Sequence, residues 1–286
     1  LLKKSNIGYG QSIIPLEETG FFEQGIAMRR MRMTLQYDGT AYCGWQVQAS
    51  GIAIQGLLQD GIYRLTGERV GVIGAGRTDA GVHALAQVAS FDTSSRLEPG
   101  ALQRGINALI PNDIRVTALH DASSDFHPRH NARGKRYTYF IAAMEQVPVF
   151  VGRYMWRIMY PIDAERMNIA AEYLRGRHDF SSFRGSGCGS QDAERTVYSI
   201  KVEQEDEMKF LFTGFRGAFI RLSIEADGFL RHMARNITGT LVEVGRGKVD
   251  PQRIAEVLAL KDRRAAGPTA PARGLFLERV FYSPFL

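Results

Sequence analysis

Met31, Met33, Leu35 and Tyr37 alternate with Arg32, Thr34 and Gln36, the period-two pattern of a strand with one buried face. Asp38-Gly39 then marks a turn. From Ile54 the period lengthens. Ile54, Leu57, Leu58, Ile62 and Leu65 recur at helical spacing, and Gly67 stands where a C-cap belongs. Short apolar runs at 70–73 and 86–91 predict two strands. Pro99 opens a second helix carrying Leu102, Ile106 and Leu109, Pro111 closes it, and 114–119 is a further strand. The order β-α-β-β-α-β is the split βαβ arrangement, a four-stranded antiparallel sheet with two helices on one face.

The second half repeats this order with additions. Residues 135–142 predict a strand. Asp163 caps a helix with the stripe Met167, Ala170, Ala171 and Leu174, ended by Gly176. Strands follow at 196–202, 209–215 and 218–226. Leu230, Met233, Ile237, Leu241 and Val244 form another helical stripe, Asp250-Pro251 starts a shorter helix, and 275–282 closes as a strand. The expected architecture is α+β: two ferredoxin-like lobes, residues 28–123 and 124–286, with antiparallel sheets flanked by helices and a basic cleft between them. Residues 1–27 show no sustained period and read as a disordered leader or non-native extension, with Met28 as the start. Glu17, Glu18 and Glu23 argue against a transit peptide.

The 286 residues are 44% hydrophobic, enough for a substantial core, and carry a net charge of +6, which suits an anionic partner such as nucleic acid or an acidic membrane surface. Two cysteines, Cys43 and Cys188, exclude a disulfide framework and a four-thiolate zinc site and point to a reducing compartment. No run approaches the roughly 20 apolar residues of a membrane helix, and no signal peptide is visible.

The most specific chemistry lies in Gly74-Ala75-Gly76-Arg77-Thr78-Asp79-Ala80-Gly81-Val82-His83. Glycines let the backbone bend tightly and let a ligand approach. A charged pair in such a loop is costly to bury unless the charges are used; the alternative is a capped turn in which Asp79 satisfies backbone N–H groups and Arg77, two residues before it, is a solvated neighbour. The run is no P-loop, because no Lys-Ser/Thr pair follows, and no dinucleotide fingerprint, because Asp79 takes the last glycine position. Nor is there a G-x-S-x-G nucleophile elbow. His127-Pro128-Arg129-His130 lacks the acidic or cysteine neighbours of a metal site, and Pro128 breaks any helix that would present both rings together. In Arg133-Gly134-Lys135-Arg136-Tyr137-Thr138-Tyr139, cations beside flat rings suit phosphate contact and base stacking. Tyr137 is assigned to stacking, with Lys135 and Arg136 as phosphate contacts, and Tyr139 to the core. Arg231 and Arg235, at i,i+4 on the predicted helix, repel by a few tenths of a kcal/mol unless an anion lies between them. Arg153, Arg157, Arg263 and Arg264 read as solvated or rim residues.

Five separated segments resemble the tRNA pseudouridine synthase A family: 37–46, 76–83, Asp125 to Arg129 with Lys135-Arg136-Tyr137, 178–184 and 229–236. The similarity runs from about Met31 to the end, and five motifs in one order are far more specific than any alone. It implies a cofactor-free, metal-free, cytoplasmic homodimer that isomerises uridine to pseudouridine at positions 38, 39 and 40 of the tRNA anticodon arm. By the same resemblance Asp79 is the catalytic aspartate, Arg77 its paired arginine, and Tyr137 the ring that stacks on the target base. Such a carboxylate can start the reaction by attacking the sugar, by attacking the base, or by removing a sugar proton. The rival readings are a non-catalytic RNA-binding protein on ferredoxin-like lobes, which leaves an acidic residue in a basic groove unexplained, and a small-molecule acid/base enzyme with an incidental basic surface.

Overall fold

The protein is described by a computed structural model covering residues 28–210 and 212–283. The leader assignment at 1–27 lies outside the described residues. In the first half, β1 (Arg29–Tyr37), α1 (Ile54–Thr66), β2 (Ile73–Gly74), β3 (His83–Thr93), α2 (Pro99–Leu109) and β4 (Ile114–Ala122) follow the expected order. Met31, Met33 and Leu35 are fully buried, as the alternation required. Gly67 caps α1 in the left-handed region (φ 76°) and Pro99 occupies the first turn of α2.

The second half contains β5 (Gly134–Ala143), α3 (Val149–Gly152), β6 (Trp156–Ile158), α4 (Ala164–Glu172), β7 (Gly176–Asp179), β8 (Glu194–Phe210), β9 (Thr213–Ala226), α5 (Met233–Gly245), α6 (Arg253–Leu260) and β10 (Leu275–Phe281). Asp163 caps α4 by accepting from the Arg166 backbone N–H. Three short elements, α3, β6 and β7, have too few residues to set up a period and were not expected. The strand expected at 209–215 is the tip of the β8–β9 hairpin, where Phe210 pairs with Thr213. The second helical stripe begins at Met233 rather than Leu230, because His232 adopts a left-handed backbone (φ 61°) that cannot continue a helix backwards.

Both halves have the strand order of a split βαβ unit: β4-β1-β3-β2 in the first, β10-β5-β9-β8 in the second. The two sheets are not separate. β10 pairs parallel with β3 through Phe276↔His83 and Leu277↔Ala84, fusing ten strands into one sheet. The larger apolar core takes residues from both halves, from Met31 to Val280, and a smaller one gathers Ala142, Val151, Met155 and Phe219. The segment 75–82, with Asp79, leaves and re-enters the sheet at this junction.

Candidate active site

Neighbours fix the 75–82 loop at many points. The Ala75 N–H donates to Val88 O (2.7 Å), Gln87 Nε2 donates to Gly76 O (2.8 Å), and the buried Thr78 shares a hydroxyl hydrogen bond with Tyr37 (2.8 Å). The turn after β1 packs on the loop's other side. Trp45 N–H donates to Thr78 O (3.1 Å), and Gly39 N–H donates to His83 Nδ1 (3.1 Å). Gly39 and Gly44 allow this approach. A Cβ on Gly39 would lie 2.0 Å from Val82 O, and one on Gly44 (φ 104°) would lie 2.5 Å from Thr78 O. His83 is buried and held between Gly39 N–H and Arg273 O, and burial lowers its pKa.

Asp79 is a quarter exposed and faces α5. Its Oδ2 accepts from Arg235 Nη1 at 3.1 Å and lies 3.5 Å from His232 Nε2. Arg235 is aimed by a second bond, Nε to Ala270 O at 2.7 Å, so one guanidinium ties the loop to α5 and the 270 segment. The partner of the carboxylate is therefore Arg235 and not Arg77. Arg77 is exposed, with no ion pair among the described residues, because the buried Thr78 pins the loop and the carboxylate beyond it faces α5. Sequence spacing cannot reveal a pair separated by 156 residues.

The strand alternation in β5 sorts the remaining candidates. Lys135, Tyr137 and Tyr139 share one face and are buried. Tyr137 packs edge-on to Phe229, with ring centroids 4.7 Å apart. Burial, with smaller contributions from Tyr37 and Asp79, raises its phenol well above the usual range, so the hydroxyl keeps its proton. Tyr139 is a core residue whose hydroxyl donates to Pro271 O (2.7 Å). The Lys135 side chain reaches Gly76: a Cβ there would be 3.4 Å from its Cε and 3.7 Å from its Nζ. It has no hydrogen bond or ion pair to a described residue. Burial, then the charges of Arg129 and Arg195, push its pKa down to about 8.

Arg136 points the other way and does not join this group. It is bound by Glu225 (Nε to Oε1, 2.6 Å) and Glu278 (Nη1 to Oε1, 3.0 Å) on the opposite face, so the expectation that it contacts substrate is corrected by the strand's two-residue period. Arg231 also stands apart. It precedes α5, and its Nη1 donates to Ser186 O (2.9 Å), bracing the 185–187 turn. The i,i+4 repulsion argument therefore does not apply. Arg263 is no rim residue either, since it bonds Gly267 O and Asn236 Oδ1 and holds the 266–269 segment on α5. His127 and His130 do come together, ring centroids 4.1 Å apart, but in a turn where His127 Nδ1 accepts two backbone N–H groups. Among the described residues no three His, Cys, Asp or Glu side chains gather as a metal site. A cavity of about 530 Å³ lined by Arg32, His120, Asp125 and Asn131 among others shares no residue with the Asp79 cluster.

His232 is the member of the cluster that the sequence singles out least. Its place in an Arg-His-x-x-Arg run is visible, but the backbone turn that brings the ring to Asp79 is not.

The sequence model of the tRNA pseudouridine synthase family matches residues 33–131 and 170–283. A tRNA pseudouridine synthase A of Myxococcus xanthus is 45% identical over 255 residues, covering 89% of this chain and 92% of the relative. One from Thermoanaerobacter sp. (strain X514) is 42% identical over 256 residues, covering 89% of this chain and 100% of the relative. Among solved structures, a Cbf5-Nop10-Gar1 complex matches with a TM-score of 0.29 and 15% identity, covering 74% of this chain and 45% of that one, too slight a likeness to bear on the argument. The family match spans both halves of the sheet, including the 75–82 loop and α5, and the chain belongs to the tRNA pseudouridine synthase family.

Proposed function

We propose that the chain isomerises uridine to pseudouridine in tRNA, at positions 38, 39 and 40 of the anticodon arm, with Asp79 as the reacting carboxylate. One observation carries this reading: a lone carboxylate on a glycine-hinged loop is held 3.1 Å from a doubly anchored arginine and within electrostatic reach of a buried tyrosine. The reaction breaks the N1–C1′ bond, turns the base and joins C5 to C1′. No redox step or group donor is needed, which suits a cluster of carboxylate, guanidinium, imidazole and phenol.

In this reading Arg235 holds the Asp79 carboxylate aimed at the substrate. The target uridine leaves its stack at a cost of a few kcal/mol, and stacking on Tyr137 offsets roughly 1–3 kcal/mol of it. Exposed Arg77, two residues from the carboxylate, fills the space the base vacates or meets its phosphate. Lys135, buried beside Gly76 with no partner among the described residues, takes a backbone phosphate. Recognition by shape and phosphate contact lets one site serve neighbouring uridines.

The reading also includes a homodimer, supported by exposed large apolar side chains. Val149, Phe150, Met159 and Phe212 are largely uncovered, and Phe150 stacks on Phe210 with centroids 6.2 Å apart. It places the enzyme with its tRNA in the cytoplasm. No helix among the described residues is long and apolar enough to cross a membrane. The test is tritium release from tRNA labelled at uridine C5, with modified positions mapped. Release from uridines 38–40 that bulk tRNA suppresses supports the reading, and binding without release returns the protein to the non-catalytic alternative.

A further inference from the structure

We propose that His232 is the base that removes the C5 proton of the target uridine in the last chemical step. The inference rests on the reading of the Asp79 cluster as the isomerisation site. Whatever the carboxylate does first, the product requires that C5 lose its hydrogen and N1 gain one. Once C5 is bonded to C1′, the ring has an N1=C6 double bond and a tetrahedral C5. His232 Nε2 takes the C5 proton and the C–H pair becomes C5=C6. The former N1=C6 π pair moves to N1, which takes up the proton that the imidazolium returns. No co-reactant is consumed and the imidazole ends as it began.

Among the described side chains in contact with Asp79, His232 is the one that can accept that proton while the carboxylate does its own part of the reaction. Arg235 is a permanent cation, and the Tyr137 phenol is held protonated by its burial. Burial lowers the pKa of the imidazole most; Asp79 pulls it back up, and Arg235, Arg231 and Arg263 lower it further, so the net shift favours the neutral ring. When the proton arrives, the imidazolium forms 3.5 Å from the Asp79 carboxylate, which stabilises it where and when it is made.

The backbone also singles out this residue. His232 is one of two described non-glycine residues at positive φ (61°), an unfavourable conformation for a bulky side chain, and it sits beside the reacting carboxylate. Gly185 makes room for the ring: a Cβ there would lie 2.7 Å from Nδ1. The strained turn and the missing side chain together turn Nε2 toward Asp79.

The test uses tRNA carrying deuterium or hydrogen at uridine C5. His232→Asn keeps a residue that tolerates the left-handed backbone but cannot titrate. It is expected to lower kcat about 100-fold or more, to leave tRNA affinity within a few fold, and to expose a primary C5 isotope effect smaller or absent in the parent. The acidic limb of the parent's pH–rate profile, which His232 sets among Asp79, Arg235, Arg231 and Arg263, is expected to vanish. A slowed variant with no added isotope effect and an unchanged acidic limb overturns the proposal, as does full activity. If the Asn variant does not fold, His232→Gly decides: rescue by added imidazole supports proton transfer, and no rescue in a folded, tRNA-binding variant refutes it. Failure of the parent to release C5 hydrogen at all would instead sink the isomerase reading itself.

Discussion

The β2–β3 connection of the first half and the β8–β9 connection of the second hold equivalent places in two split βαβ units, and they have diverged in opposite directions. β8 pairs with β9 along nearly its whole length and ends in a tight tip at the exposed Phe212. β2 has only two residues, pairing Ile73 and Gly74 with Ser90 and Ala89. Its shortness leaves the edge of β3 away from β1 open at the start of the strand, and β10 fills that edge at His83 and Ala84. A truncated strand thus fuses the two sheets and places the 75–82 loop over the seam. The first half supplies one acidic side chain there. The second supplies Arg235, His232, Tyr137 and Lys135, so neither half is a site alone.

The largest test of this division of labour is Asp79→Asn, expected to reduce tritium release by about a thousand-fold or more while tRNA binding stays within a few fold. Normal turnover would remove the reacting group that the first half contributes. Arg235→Met comes next, with kcat expected to fall about 100-fold, because the carboxylate loses the group that aims it. Arg77→Ala, by contrast, is expected to act on binding and to flatten the salt dependence of affinity by about one ion. If Arg77→Ala instead matches Arg235→Met in kcat, the assignment of the ion pair is wrong. Tyr137→Ala is expected to lose roughly ten-fold or more in kcat/KM, with Tyr137→Phe near the parent.

Much of this arrangement could be read from the chain. Alternation in β1 and the helical stripe of α1 announce the first half because each element buries one face. Asp79 and Tyr137 stand out for the same local reasons, a glycine-hinged loop and a strand period. What local pattern cannot carry is pairing at a distance. The sequence offers Arg77 as the cation because it is two residues away, while the fold brings Arg235 from the other half. Arg136 looks like a phosphate contact beside Lys135, yet one residue of strand register sends it to Glu225 and Glu278. His232 depends on a single backbone torsion that no periodicity reports.

Two smaller tests separate the faces of β5. Lys135→Met removes a dehydrated charge, so tRNA affinity is expected to weaken several-fold at pH 7, yet thermal stability to rise. The folded-state pKa, about 8, lies below the usual lysine value near 10.4, so the unfolded chain binds more protons between them and stability climbs with pH across that window. The variant's advantage over the parent is therefore full below pH 8 and gone above about 10.4, measurable by thermal melts. Arg136→Met is expected to do the reverse, costing about 1–3 kcal/mol of stability by stranding two glutamates while leaving kcat unchanged. Loss of turnover in a folded Arg136→Met protein would put that face back into the site.

The glycine contacts around the loop have a mechanical meaning. With Gly39 and Gly44 seated against Val82 and Thr78, the main chain around Asp79 is clamped between the turn after β1 and the β3–β10 seam, and has no slack in which to swing. On the proposed reading, an active centre anchored in this way does not close over its substrate. The travelling partner in each turnover must be the nucleic acid, which has to bend, open and bring a nucleotide down to a carboxylate that stays where it is.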